Sequence, residues 1–131
     1  MTLEEIRAFF AGDTFALKRA GITIDALTEN GARLSLPVTP DVLNAQGFVQ
    51  GGAIFTLCDT AFAVAANAVC APTVSTGASI SYLRPGTGPC LTAEAELISR
   101  QRSSCLYGVS VYDQEHELVA YATVSGLTRK A

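Results

Sequence analysis

The period of the hydrophobic positions changes along this chain, and the changes mark its elements. Leu3, Ile6, Phe9 and Phe10 recur at helical spacing behind Thr2, with Glu5 three residues on, so a short capped helix opens the chain. Gly21 to Thr28 alternates apolar and polar residues, breaks at Asn30-Gly31, and returns from Arg33 to Val38, which predicts a β-hairpin because Asn-Gly suits the turn that matches strand twist. Pro37 and Pro40 close it, and a loop covers residues 41–50. The double glycine Gly51-Gly52 then begins a helix that is apolar around most of its circumference, at least to Asn67. Beyond it the period drops to two. Val74, Thr76, Ala78, Ile80 and Tyr82 predict one face of a strand, and Leu91 to Leu97, Leu106 to Tyr112 and Leu118 to Thr128 predict three more. Short turns join these four strands, including Pro85-Gly-Thr-Gly-Pro89, so an antiparallel meander is the simplest pairing. A helix with so little polar surface needs a sheet curled around it, and an α+β fold follows.

At 131 residues the chain forms one domain, residues 1–131, with residues 1–20 as an N-terminal helical segment. Hydrophobic residues make up 49% and charged residues 16%, more apolar surface than a small monomer hides, which points to self-association. A net charge of −3 excludes the basic footprint of a nucleic-acid or anionic-membrane binder. The N-terminus is acidic where a secretion signal is basic, and Asp59 and Asn67 interrupt the one run near membrane-spanning length, so a cytoplasmic protein is expected. Cys58, Cys70, Cys90 and Cys105 form no CxxC pair and have only His116 as a nitrogen co-ligand, which supports neither a zinc site nor a redox motif. Free buried thiols suit a reducing compartment. A dinucleotide-binding or P-loop reading fails because no glycine fingerprint follows a strand.

The residue out of place is Asp59. It sits in the apolar helix, with no Lys, Arg or His between Arg33 and Arg84 to pair with it. An ionised carboxylate in such a setting costs several kcal/mol unless paired, about the energy that active sites spend to shift a pKa. A carboxylate packed for structural reasons against a hydroxyl or a partner chain is the alternative.

The run Asn44-Ala-Gln-Gly-Phe-Val-Gln50-Gly51-Gly52-Ala-Ile-Phe-Thr-Leu-Cys-Asp59-Thr-Ala-Phe resembles the signature of hotdog-fold acyl-CoA thioesterases of the phenylacetate-degradation type, and Ala78-Ser-Ile-Ser-Tyr-Leu-Arg-Pro-Gly86 is similar to that family's next stretch. The resemblance runs from Gly21 to Lys130. It implies a hotdog fold, an antiparallel sheet wrapped around one long helix, hydrolysis of an acyl-CoA to a carboxylic acid and free CoA, no metal or redox cofactor, and a homodimer or dimer-of-dimers tetramer. Asp59 of one subunit, as nucleophile or general base, would then face the Gly51 amide of its partner. The first amides of a helix lack internal acceptors, so Gly51 and Gly52 are candidate donors to a developing oxyanion. Eight residues of helix rise about 12 Å, which separates Asp59 from Gly51 of the same chain. By the same resemblance Asn44 orients the loop or the acyl group, and Ser75 places a hydroxyl beside the nucleophile or its water. The family's histidine before the double glycine is here Gln50, which hydrogen-bonds but does not titrate near neutral pH.

Arg84, Arg100 and Arg102 lie in turns and are the candidates for the phosphates of CoA. Ala53, Phe55, Phe48 and Phe62 suggest an apolar acyl pocket. Two other readings compete: a hotdog module that binds acyl or aromatic ligands without turnover, and a dehydratase or hydratase, which would draw on a histidine where this chain has only His116 in a distant turn.

Overall fold

The computed structural model describes residues 1–129, and positions 130 and 131 of the expected domain lie outside the described residues. The first helix, α1 (Leu3–Phe9), starts where the capping pattern predicts: the Glu5 N–H donates to the Thr2 hydroxyl at 3.1 Å and the Thr2 N–H to the Glu5 carboxylate at 2.9 Å. A wide, π-type helical turn, Thr14–Arg19, follows, capped by Asp13, whose carboxylate accepts from the Ala16 N–H at 2.9 Å. Strands β1 (Thr23–Thr28) and β2 (Gly31–Pro37) form the expected hairpin. After a short 3₁₀ turn, Pro40–Val42, come α2 (Gly51–Val69), β3 (Thr73–Tyr82), β4 (Cys90–Arg100), β5 (Ser104–Tyr112) and β6 (Leu118–Thr128).

All six strands form one antiparallel sheet, in the order β1-β2-β4-β5-β6-β3, wrapped around α2. Leu57, Ala61, Phe62, Val64 and Ala65 of α2 are buried with Leu34, Leu36, Leu91, Val109, Val111 and Val124 of the sheet. Burial stabilises by about 1.5–3 kcal/mol for each large aliphatic side chain, and the near-continuous apolar surface of α2 is what makes a curled sheet preferable to a flat one. Phe62 rests edge-on against Tyr107, with ring centroids 5.6 Å apart, over Gly126, where an added Cβ would come within 2.4 Å of the Phe62 ring. Although α2 is long and apolar enough to cross a membrane, it is the core helix of this sheet. Asn67 anchors its exit, accepting from the Thr73 N–H at 2.8 Å and donating to the Ala63 and Thr73 carbonyls.

Two expectations are corrected. The meander holds only for β4, β5 and β6; β3 pairs with β6 at the sheet edge, and the other neighbour of β4 is β2. Alternation reveals that a segment is a strand with a buried face but carries nothing about its partner. Residues 83–89 are therefore a crossover spanning the end of the sheet above the start of α2. The Leu83 N–H donates to the Val119 carbonyl at 2.8 Å, the Val49 N–H to the Gly86 carbonyl at 2.9 Å, and the Val38 N–H to the Pro89 carbonyl at 2.9 Å.

The second correction concerns the faces of β3. A bulge between Ser75 and Gly77 shifts the register by one residue, so Ser75, opposite Gly126, joins the side of Ala78, Ile80 and Tyr82, opposite Val124, Ala122 and Ala120. Those β6 partners are all buried. Val74, expected on the apolar face, is 49% exposed. One extra residue in a strand exchanges its faces.

Candidate active site

Residues 44–50 deliver the chain to α2. The Asn44 side-chain oxygen accepts from the Gln46 and Phe48 N–H groups at 2.9 and 3.1 Å, so its carboxamide organises the turn, and the Gln50 N–H donates to the Val42 carbonyl at 2.8 Å. Gln50 is the N-cap of α2, and its side-chain oxygen folds back to accept from the Gly52 N–H. The Ala53 and Ile54 N–H groups both donate to the Gln50 carbonyl, at 2.9 and 3.1 Å. Among the described residues the Gly51 N–H alone in this first turn meets no acceptor. It stands at the positive end of a 19-residue helix.

Two clefts flank this amide. One, of about 420 Å³, is lined by Asn44, Gln46, Phe48, Gly51, Tyr82 and Arg84. The other, of about 330 Å³ and largely apolar, is lined by Phe15, Arg19, Ala20, Leu43, Gln50, Gly52, Ala53 and Thr56. The Tyr82 hydroxyl donates to the Gly51 carbonyl at 3.0 Å. Arg84 is held by its Nε donating to the Leu118 carbonyl at 3.1 Å and by an ion pair with Glu117 at 3.1 Å.

Asp59 lines neither cleft. It is half-buried on the helix face that carries Gly52, Phe55, Thr56 and Ala63, the one stripe of α2 left partly open. Desolvation raises its pKa above the ordinary carboxylate value; the Ser75 hydroxyl beside it acts the opposite way by favouring the anion, and the Asp13 charge adds to the rise. The β3 bulge is what puts that hydroxyl there. Cys58, adjacent in sequence, points into the core, where burial, and then the Asp59 charge, push its thiol up to about 12. Such a thiol is inert.

The structure brings Asn44, Gly51 and Arg84 to one cleft, places Gln50 and Gly52 in the other, and brings Ser75 to Asp59. It does not bring Arg100 or Arg102 to Arg84. Arg100 donates to the Tyr107 hydroxyl at 2.8 Å and lies with Ala65, Ala68 and Val69 at the C-terminal end of α2, while Arg102 is exposed in the β4–β5 turn. The expected apolar pocket is also corrected: Phe62 is core, Phe48 and Ala53 belong to different clefts, and Phe55 lies on the open stripe. His116 is exposed and stacks on Tyr112.

Sequence reasoning missed Tyr82 as a contact of the helix start and Thr14–Arg19 as a cleft wall. The second had a signal in Asp13, a capping residue ahead of Thr-Phe-Ala-Leu-Lys-Arg.

Residues 46–120 match the family model described as Thioesterase superfamily. The chain belongs to that family. This thioester hydrolase is 33% identical over 118 residues to the acyl-coenzyme A thioesterase PaaI of Escherichia coli, an alignment that covers 89% of this chain and 84% of that protein. The solved structure of the E. coli PaaI protein, from the phenylacetic acid degradation operon, superimposes with a TM-score of 0.91 over 98% of this chain and 93% of that one. TT0310 protein from Thermus thermophilus is 30% identical, with a TM-score of 0.80 over 86% of this chain and 96% of that one. A protein from Streptococcus mutans solved with acetyl CoA bound is 26% identical, with a TM-score of 0.77 over 83% of this chain and 91% of that one. The six-stranded antiparallel sheet around one long helix is the hotdog fold.

Proposed function

We propose that this chain hydrolyses acyl-CoA thioesters to a carboxylic acid and free CoA, in a composite site where Asp59 of one subunit faces the Gly51 N–H of another. The observation that carries the reading is a division of labour along α2. Among the described residues, the amide of the first turn that meets no acceptor lies at the start of the helix, and the half-buried carboxylate of raised pKa lies eight residues on, on a stripe that borders the unpaired edge of β3. The intervening rise of about 12 Å keeps the two from serving one carbonyl within a chain. A second copy laid antiparallel along β3 supplies the missing half, which agrees with exposed Val74 on that edge. We infer a homodimer, doubled to a tetramer, in the cytoplasm, where the four free thiols stay reduced.

In this site the thioester carbonyl oxygen accepts from the Gly51 N–H. Asp59 either attacks the carbonyl carbon or takes a proton from the water that does. Negative charge develops on the oxygen, where a preorganised amide at a helix start is worth about 10² to 10³ in kcat. Collapse of the tetrahedral intermediate breaks the C–S bond, and the CoA thiolate leaves and is protonated; where Asp59 is the nucleophile, water then cleaves the acyl–Asp59 anhydride, releasing the carboxylic acid and restoring the carboxylate. Desolvation makes Asp59 a stronger base than an ordinary carboxylate, while the Ser75 hydroxyl acts in the opposite direction by favouring its anion. Arg84, beside Gly51, is the candidate contact for a CoA phosphate within the same cleft, and Arg100 and Arg102 would act from elsewhere in the assembly. The proposed chemistry draws on no metal or redox cofactor. The substrate class agrees with the acyl-coenzyme A thioesterase name of the E. coli relative and with acetyl CoA bound to the S. mutans one. A panel of acyl-CoA substrates assayed by thiol release tests the proposal, and no release from any acyl group would refute it.

A further inference from the structure

The peptide unit joining Gly51 and Gly52 is held at both ends. Its carbonyl accepts from the Tyr82 hydroxyl at 3.0 Å, and its N–H donates to the Gln50 side-chain oxygen. The holders come from opposite sides, one from the last residue of β3 and one from the N-cap of α2 itself. Two consecutive glycines are the most permissive backbone a chain offers, and a donor whose direction wanders stabilises a developing charge poorly. We propose that Tyr82 and Gln50 are positioning residues, a two-sided clamp on the Gly51–Gly52 peptide that fixes the torsions at the Gly51 Cα and so steadies the adjoining Gln50–Gly51 peptide, whose N–H is the donor. The proposal rests on Gly51 as the oxyanion donor and adds to it the residues that hold that donor still.

The clamp gives each glycine its own requirement. A Cβ on Gly52 would come within 2.9 Å of the Gln50 side-chain oxygen, so a side chain there would unseat that arm. A Cβ on Gly51 would touch the Tyr82 ring only at 3.4 Å, an ordinary contact, so bareness at Gly51 serves the approach of the substrate and not the packing of Tyr82. The clamp also accounts for glutamine in place of histidine. A carboxamide oxygen accepts from the Gly52 N–H at every working pH, whereas an imidazole accepts only when neutral. Because Gly52 donates to this cap, its amide is engaged and Gly51 is left as the free donor of the pair.

The test combines turnover with amide exchange, measured on the assembled protein labelled with ¹⁵N-glycine. Tyr82→Phe removes one oxygen and keeps the ring; Gln50→Leu removes the other arm. Each is expected to lower kcat about 3- to 10-fold, the factor to which the net worth of one neutral hydrogen bond converts, with KM unchanged. The double variant should fall by less than the product of the two, because either loss already opens the clamp. Tyr82→Phe should also speed exchange of the Gly52 N–H, which it does not touch, across the peptide plane. Unchanged Gly52 exchange in Tyr82→Phe, or multiplicative losses in kcat, overturns the clamp while leaving Gly51 as donor. Faster exchange with unchanged kcat, in a protein that Asp59→Asn inactivates, overturns both the clamp's catalytic role and the donor assignment on which it rests.

Discussion

Replacing Asp59 by Asn is the most informative single change, because it keeps the shape of the side chain and removes its negative charge. The proposed mechanism needs a carboxylate that attacks or abstracts a proton, and an amide does neither, so kcat should fall by about 10² to 10⁴. KM should move far less, since CoA is held by other groups, Arg84 being the candidate, and not by this carboxylate. Stability should move the other way. An acid whose folded pKa lies above its unfolded one, near 3.8, binds more protons when folded. Its stability contribution therefore declines as pH rises from that value through the folded pKa, and at neutral pH the ionised Asp59 is a net cost. Asn escapes that cost and can still accept from the Ser75 hydroxyl, so the thermal midpoint at pH 7 should stay level or rise by up to about 3 °C. At pH 3, where the parent carboxyl is also neutral, the difference should vanish. Thiol-release kinetics and thermal melts at the two pH values test each part. Full turnover in the variant, coupled with a lower midpoint at pH 7, would show Asp59 to be structural and refute the reasoning.

Ser75→Ala removes the group that favours the Asp59 anion, so the acid limb of the kcat/KM profile should move to higher pH; an unmoved limb would separate Ser75 from the reaction. Gln50→His should leave the fold intact and raise or broaden activity above neutrality, while adding a loss of kcat on acidification near pH ~6.5, as the ring protonates and ceases to accept from Gly52. A pH profile with no new limb would show that this position does not cap the glycine pair. Sedimentation at micromolar concentration should find a dimer or tetramer, and a fully active monomer would remove the composite site.

Much of the architecture is local and therefore legible. The Thr2–Glu5 capping box, the existence of the β1–β2 hairpin and the start of α2 at Gly51 follow from local side-chain chemistry and patterning, though the hairpin turns at Glu29-Asn30, one residue before the expected Asn-Gly, with Gly31 already paired to Thr28; the apolar girth of α2 alone demands a sheet that curls. Asp59 was conspicuous for the same reason, as a carboxylate without a cation near it in sequence. What tertiary structure decided was every relation between segments distant in the chain. Strand alternation is the same whichever neighbour a strand takes, so the placement of β3 beside β6, and with it the crossover that carries Arg84 to Gly51, could not be read from periodicity. A bulge costs one residue in the count and leaves no mark in composition, yet it turned Ser75 toward Asp59 and Val74 toward solvent. Tyr82 looked like one more strand residue until the end of β3 met the start of α2, and Arg100 and Arg102 looked like partners of Arg84 until the length of the sheet parted them. Hydrogen-bond preferences and helix geometry act over one or two turns; which groups share a cleft depends on how the sheet closes, and that is set by the summed burial of the whole core.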